Sequence, residues 1–224
     1  MSNGPRIKIC GLKNAETILL MDRLPVHEIG YMFAKSKRQV EPEAAAKLIE
    51  ASKSVRMAND QPPRSVGVFV NPELDTLKTV VDIAGLDVVQ LHGEESAVFC
   101  RDVKQQLSVD VWKVFSIGKG QDDPKESAEA RLAPYRSAVD AVLIDTAGGG
   151  TGVTFNWELI AEYRAAAASI GVPLYVAGGL HPGNVGELLD GYMPDGIDVS
   201  SGVETDGHKD IDKIKAFVRK VIER

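Results

Sequence analysis

Eight short apolar runs, each followed by a segment with helical apolar spacing, restrict this chain more than any other feature of its sequence. Ile7-Lys8-Ile9-Cys10 reads as a first strand ended by Gly11, and Ala15, Ile18 and Leu19 then supply a helix face that Pro25 stops. The second strand is Ile29–Phe33, with Pro42 opening a helix that carries Ala45, Leu48 and Ile49. The third is Ser65–Val70, with Leu74, Leu77 and Val81 on a helix closed by Gly85. Asp87–His92 is the fourth, before a helix from Glu94 to Leu107, and Val111–Phe115 the fifth, before an irregular helical stretch from Lys125 to Ser137 that contains Pro134. Ala141–Thr146 is the sixth, followed by the glycine-rich Ala147–Gly152 and a helix from Asn156. Leu174–Ala177 is the seventh, with a short helix from Asn184 to Leu189. Gly196–Ser200 is the eighth, and the last helix shows Ile211, Ile214, Phe217, Val218 and Val221 behind a capping Asp210.

Eight such units in 224 residues, about 28 residues each, fit an α/β chain folded as one (β/α)8 TIM barrel over residues 1–224. An open doubly wound sheet usually has fewer strands and a phosphate fingerprint after the first, which Cys10-Gly11-Leu12 does not supply. The later glycines, Gly148 and Gly150 followed by Val153, also miss the dinucleotide spacing, and no Gly-Lys-Ser/Thr follows.

A net charge of -6 with Lys and Arg scattered argues against a nucleic-acid surface or a basic membrane anchor, so the expected partner is a small molecule. No apolar leader follows Met1, and no run of 18 apolar residues occurs, so the expectation is a soluble cytoplasmic protein, monomer or homodimer. Cys10, Cys100 and the histidines at 27, 92, 181 and 208 form neither a disulfide framework nor a metal-ligand spacing, and no metal or cofactor is expected.

In a barrel of this kind the site lies at the C-terminal strand ends. Asp145 ends the sixth strand, where it is either a turn residue or an acid at the barrel mouth. Gly178-Gly179 and Ser200-Ser201-Gly202 end strands seven and eight, the usual place for a phosphate, because glycine exposes backbone N–H groups and serine adds donors. Cys10 at the end of strand one would face Asp145 as a base facing an acid, or be a small buried hydrophobe. Arg38, in the loop after strand two, is either solvated or a bidentate carboxylate ligand placed opposite the phosphate clusters. Gln90 and His92 share a strand face, so His92 lines the mouth or is structural. A competing enzyme reading is a Schiff-base lyase using Lys113, taken as the only lysine within a buried strand pattern; a non-catalytic sugar-phosphate sensor is a third.

These strand ends resemble the phosphoribosylanthranilate isomerase family of tryptophan biosynthesis. The matching segments are Lys8-Ile9-Cys10-Gly11, Ser36-Lys37-Arg38, Gly67–Asn71, Val89–Glu94, Leu143–Thr146, Gly150-Thr151-Gly152 with Thr154-Phe155, Ala177–Leu180 and Asp198–Glu204, in family order along nearly the whole chain. The resemblance implies an Amadori rearrangement of N-(5-phosphoribosyl)anthranilate, with Asp145 as general acid and Cys10 as general base. It also implies Arg38 on the anthranilate carboxylate and Asp198 on ribose hydroxyls or a neighbouring polar group; His92, on its strand face, is the remaining substrate-contact candidate. Gly178, Gly179, Ser200, Ser201 and Gly202 would hold the phosphate. Pro25-Val26-His27-Glu28 departs from the family pattern.

Overall fold

The alternation closes on itself because the last strand pairs with the first. In the computed structural model, β1 (Arg6–Cys10), β2 (Glu28–Met32), β3 (Arg64–Phe69), β4 (Val88–Leu91), β5 (Asp110–Ile117), β6 (Ala141–Thr146), β7 (Leu174–Val176) and β8 (Gly196–Val199) form a closed parallel barrel in chain order. The structure describes residues 4–118, 126–146 and 156–224. The glycine-rich 147–152 stretch, Thr154-Phe155 and the first residue of the expected 125–137 helix lie outside them.

The helices between and after the strands are α1 (Ala15–Leu20), α2 (Pro42–Ser52), α3 (Leu74–Ala84), α4 (Ala97–Gln106), α5 (Ala128–Leu132), α6 (Leu159–Ile170), α7 (Val185–Tyr192) and α8 (Ile211–Ile222). Their ends follow local chemistry. The Asn14 side chain accepts from the Glu16 amide, Ser96 from Phe99, and Asp210 from Asp212 and Lys213, each satisfying a first-turn N–H that has no partner inside the helix. The final helix buries Ile214, Phe217, Val218 and Val221, as its spacing predicts.

Three local expectations change. Leu19 is 49% exposed, and Ile18 is the fully buried residue of the six-residue α1. Around Pro134 the chain forms only the five residues of α5 and then a single 3-10 turn over Ala133–Tyr135, because proline has no N–H to continue the helical ladder. After the eighth strand a hairpin unforeseen from the pattern, β9 (Glu204–Thr205) and β10 (His208–Lys209), turns at Asp206 and Gly207, both with positive φ. Asp-Gly between two extended pairs is the sequence signal for such a turn.

Strand alternation sorts the core into two compartments. Outward residues such as Ile7, Ile9, Ile29, Val142, Ile144 and Ile197 pack under the helices in one large apolar cluster. Inside the barrel, β3 to β7 contribute a separate cluster of Val66, Val88, Trp112, Val114, Ala141, Leu143, Tyr175 and Ala177. The facing inner wall, from β8, β1 and β2, is polar: Asp198, Lys8, Cys10 and Glu28 are all buried. At the N-terminal end Glu28, from the segment that departs from the family pattern, accepts from Arg6 and from the Tyr175 hydroxyl, whose ring lies 4.6 Å from that of Trp112.

Gly196 makes room for that ring: a Cβ there would sit 2.4 Å from two Tyr175 carbons. Gly196→Ala is therefore expected to cost about 1–3 kcal/mol of unfolding free energy through overpacking. Urea denaturation of the variant measures this, and an unchanged midpoint would show that the tyrosine yields freely.

Candidate active site

The inner wall opens at the C-terminal strand ends into a cleft of about 350 Å³. It is lined by Cys10 from β1, Arg38 from the loop after β2, Gln90 and His92 at the end of β4, Asp145 from β6, Gly178 and Gly179 after β7, and Asp198, Ser200 and Ser201 at β8. Arg38, His92 and the strand-end residues expected at the site are thereby brought together, with Gly202 as the exception. Gly202 backs the cleft instead of lining it, and a Cβ there would fall 1.9 Å from the Leu180 carbonyl oxygen. Cys10 has its place because β2 presents Gly30 opposite it, where a Cβ would meet the sulfur at 2.6 Å.

Burial governs the protonation of these groups. Asp145 is 7% exposed, and burial first, then the charge of Asp198, push its carboxyl up to about 7 against the opposing effects of a Thr146 backbone hydrogen bond and Lys8. His92 Nε2 lies 3.5 Å from Asp145 Oδ2, and burial followed by the charge of Lys113 lowers its pKa to about 4, so the imidazole is neutral near pH 7. Burial likewise raises the Cys10 thiol, opposed by Lys8 and Lys209 and reinforced by Asp198. Asp145 Oδ1, Asp198 Oδ1 and Gln90 Oε1 are buried with no hydrogen-bond partner among the described residues, which leaves three acceptors in a cleft that could receive hydroxyl donors. Gly178 and Gly179 have φ of 91° and 66°, left-handed backbone that turns the chain sharply at the strand end.

Arg38 does not sit opposite the strand-eight cluster as expected. Its Nε and Nη2 bond both carboxylate oxygens of Glu204, at 2.6 and 2.9 Å, and its side chain passes over Gly11 next to Ser200. Strand two reaches strand eight this easily because only β1 separates them in the closed barrel. Lys209 joins the same carboxylate at 2.6 Å and donates to the Ser200 carbonyl at 2.9 Å. Glu204 and Lys209 were missed by sequence reasoning, and the Asp206-Gly207 turn that pairs their strands was the available signal.

Lys113 is not poised as a Schiff-base nucleophile. Its ammonium donates to the carbonyls of Gly93 and Val114 at 2.7 and 2.9 Å and pairs with buried Glu95 at 3.1 Å, away from the cleft lining. Nor is it alone as a buried strand lysine, since Lys8 is fully buried on β1 and pairs with Asp198 at 2.8 Å. Among the described residues no group of three or more His, Cys, Asp or Glu is arranged to hold a metal ion, and no helix is long and apolar enough to cross a membrane.

The Glu204 carboxylate makes a pH prediction. Burial alone would raise its pKa, but Arg38 and Lys209 together hold it down at about 2. A carboxylate depressed in the folded state adds stability above its unfolded pKa and loses it as pH falls toward the folded one. Acid unfolding of the wild type should therefore include a loss between about pH 4.5 and 2 that Glu204→Gln lacks. Identical pH dependence in the two proteins would contradict the pairing.

Comparison with known proteins agrees with this geometry. Residues 7–220 match the family described as N-(5'-phosphoribosyl)anthranilate (PRA) isomerase. The N-(5'-phosphoribosyl)anthranilate isomerase of Brevibacillus brevis is 43% identical over 220 residues, covering 96% of this chain and 93% of its own. That of Geobacillus thermodenitrificans is 36% identical over 219 residues, with the same coverage. Among solved structures, phosphoribosyl anthranilate isomerase from Thermus thermophilus superposes with a TM-score of 0.81 at 28% identity, over 97% of this chain and 98% of its own. A phosphoribosyl anthranilate isomerase in complex with reduced 1-(o-carboxyphenylamino)-1-deoxyribulose 5-phosphate superposes with a TM-score of 0.77 at 33% identity, over 98% of this chain and all of its own. A continuous match over the barrel, with Cys10, Asp145 and the glycine and serine strand ends inside it, leaves one assignment: the chain belongs to the N-(5'-phosphoribosyl)anthranilate isomerase family.

Proposed function

We propose that this protein converts N-(5-phosphoribosyl)anthranilate into 1-(2-carboxyphenylamino)-1-deoxyribulose 5-phosphate, with Asp145 as general acid and Cys10 as general base. The observation that carries these roles is the shared cleft holding a carboxyl group pushed up to about 7 and a buried thiol. The Asp145 carboxyl donates its proton to the ribose ring oxygen as the bond from that oxygen to C1 breaks, and the anilino nitrogen lone pair forms the C1–N double bond. Cys10, as thiolate, then takes the C2 proton. The released electron pair becomes the C1–C2 double bond and quenches the iminium, giving an enolamine that ketonises as C1 gains a proton and the C2 hydroxyl loses one. Each proton transfer to or from a positioned side chain typically contributes about 10²–10⁴-fold.

The two anionic ends of the substrate have different supports. Glu204 occupies Nε and Nη2 of Arg38, which leaves Nη1 for the anthranilate carboxylate. The phosphate lies against Gly178, Gly179, Ser200 and Ser201, with Gly202 shaping the turn behind them. Asp198 Oδ1 and His92 contact the ribose. The active protein acts in the cytoplasm on a phosphorylated small molecule, as a monomer or homodimer, with the whole chain as one domain.

The direct test generates phosphoribosylanthranilate in situ and follows the loss of anthranilate-type fluorescence on adding the protein. Cys10→Ala and Asp145→Asn should each lower kcat by at least about 10²-fold while binding of a product analogue survives. Near-normal turnover in either variant removes that residue from the mechanism.

The pH profile carries a sign. The active form needs Asp145 protonated and Cys10 ionised, so a single proton is held between two groups, and below the Asp145 pKa both become protonated. Accordingly kcat/KM should rise with pH through about 7 and fall only above the raised thiol pKa, and in Asp145→Asn the rise near 7 should give way to a rise at the thiol pKa. A rise that stays near 7 in the variant would assign it to another group.

For the phosphate, Ser201→Asp places a carboxylate against a dianion in a partly desolvated cleft, a repulsion of about 1–4 kcal/mol. Substrate affinity should fall roughly 10- to 1000-fold, whereas Ser201→Ala, which keeps the backbone donors, should do far less. Unaltered KM in Ser201→Asp would mean that the phosphate lies elsewhere.

A further inference from the structure

We propose that Lys8 is a positioning residue of the isomerisation: its ammonium, fixed by Asp198 on the same inward face of β1 as Cys10, supplies the positive charge that lets the thiol work as a thiolate. The inference rests on the reading of Cys10 as the base. Ile7 and Ile9 point outward into the large apolar cluster, so Lys8 and Cys10 point into the barrel one above the other. The β1–β8 register sets Lys8 directly opposite Asp198, and the two side chains meet at 2.8 Å with Lys8 fully buried.

A buried ion pair of this kind is poor evidence for stability, because well-packed apolar residues of similar volume often serve the fold equally well or better. This barrel shows as much within itself. Below the cleft its opposite inner wall, from β3 to β7, is built from Val, Ala, Leu, Trp and Tyr, and Gln90 and Asp145 join it only at the cleft. Below the cleft, the Lys8–Asp198 pair stands on the wall that carries Cys10, and the lysine lies two residues before the sulfur.

The charged groups around the thiol can be named element by element. Lys8 lies on β1, Asp198 on β8, Lys209 on β10 and Arg38 on the loop after β2. Burial raises the thiol most, and Lys8 leads the groups that bring it back, ahead of Lys209, with Asp198 opposing. Arg38 and Lys209 are both committed to the Glu204 carboxylate, which offsets their charge. The Lys8 ammonium has three N–H donors, one of them taken by Asp198.

The test is the pH dependence of Cys10 alkylation by iodoacetamide, quantified on the Cys10 peptide by mass so that Cys100 does not contribute. In Lys8→Met the pH of half-maximal reactivity should rise by about one unit or more, the size expected when a close opposite charge is removed. In the same variant kcat near neutral pH should fall at least about tenfold while KM stays within about threefold. Lys8→Arg, which keeps the charge, should hold a profile close to that of the wild type. Because Lys8→Met strands a buried carboxylate, Lys8→Met/Asp198→Asn is the companion variant. It should melt as a folded protein and still alkylate at a higher pH than wild type. An unmoved alkylation profile in either folded variant overturns the proposal and leaves Lys8 a purely structural residue. Failure of the base reading looks different: turnover would survive in Cys10→Ala while the alkylation shift in Lys8→Met remained.

Discussion

Everything at the mouth of this barrel depends on the pairing of β8 with β1. That pairing sets Lys8 opposite Asp198 and brings the strand-eight end against Cys10, where the Ser200 hydroxyl donates to the Cys10 carbonyl at 3.1 Å. It also leaves a single strand between the loop after β2 and the hairpin after β8, close enough for Arg38 to reach Glu204. An open sheet with the same strands would separate these groups by its full width. Closure is what turns residues nearly 200 positions apart into one site.

The interior is asymmetric, and the asymmetry has electrostatic consequences. Below the cleft the half from β3 to β7 is apolar and the half from β8, β1 and β2 carries buried Asp198, Lys8 and Glu28, while Asp145 and His92 reach the cleft from the apolar side. Low-dielectric surroundings strengthen every charge interaction inside. They push Asp145 up toward neutrality and His92 down, and they raise the Cys10 thiol. One burial effect thus moves acid, imidazole and thiol in the directions expected of a proton donor, a neutral neighbour and a base that needs a nearby cation. At the rim the opposite applies: Glu204 stays ionised because Arg38 and Lys209 converge on it.

The sequence made the barrel legible because periodicity and glycine punctuation are local, and α8 or the Gly85 stop of α3 could be read almost residue by residue. The strand-end residues were legible for the same reason, since a barrel has a fixed functional face. What could not be read was lateral. The partner of Arg38 lies 166 residues away, and Glu204 and Lys209 come together only through a two-residue turn. Lys8 was hidden by its neighbours: in Ile7-Lys8-Ile9-Cys10 it reads as one polar residue in an apolar strand, and its ion pair exists only once β8 is in register. Lys113 was the reverse case, conspicuous in sequence but held in place by Glu95 and three backbone carbonyls.

The central physical claim is that burial inside the closed barrel raises the Asp145 carboxyl to about 7. Carbon-13 NMR of protein labelled at aspartate carboxyl groups, with the Asp145 signal assigned by its loss in Asp145→Asn, measures that directly. The account predicts a carboxyl signal that remains in its protonated position through pH 6 and titrates near 7. A signal that titrates near 4, in the ordinary aspartate range, would contradict it.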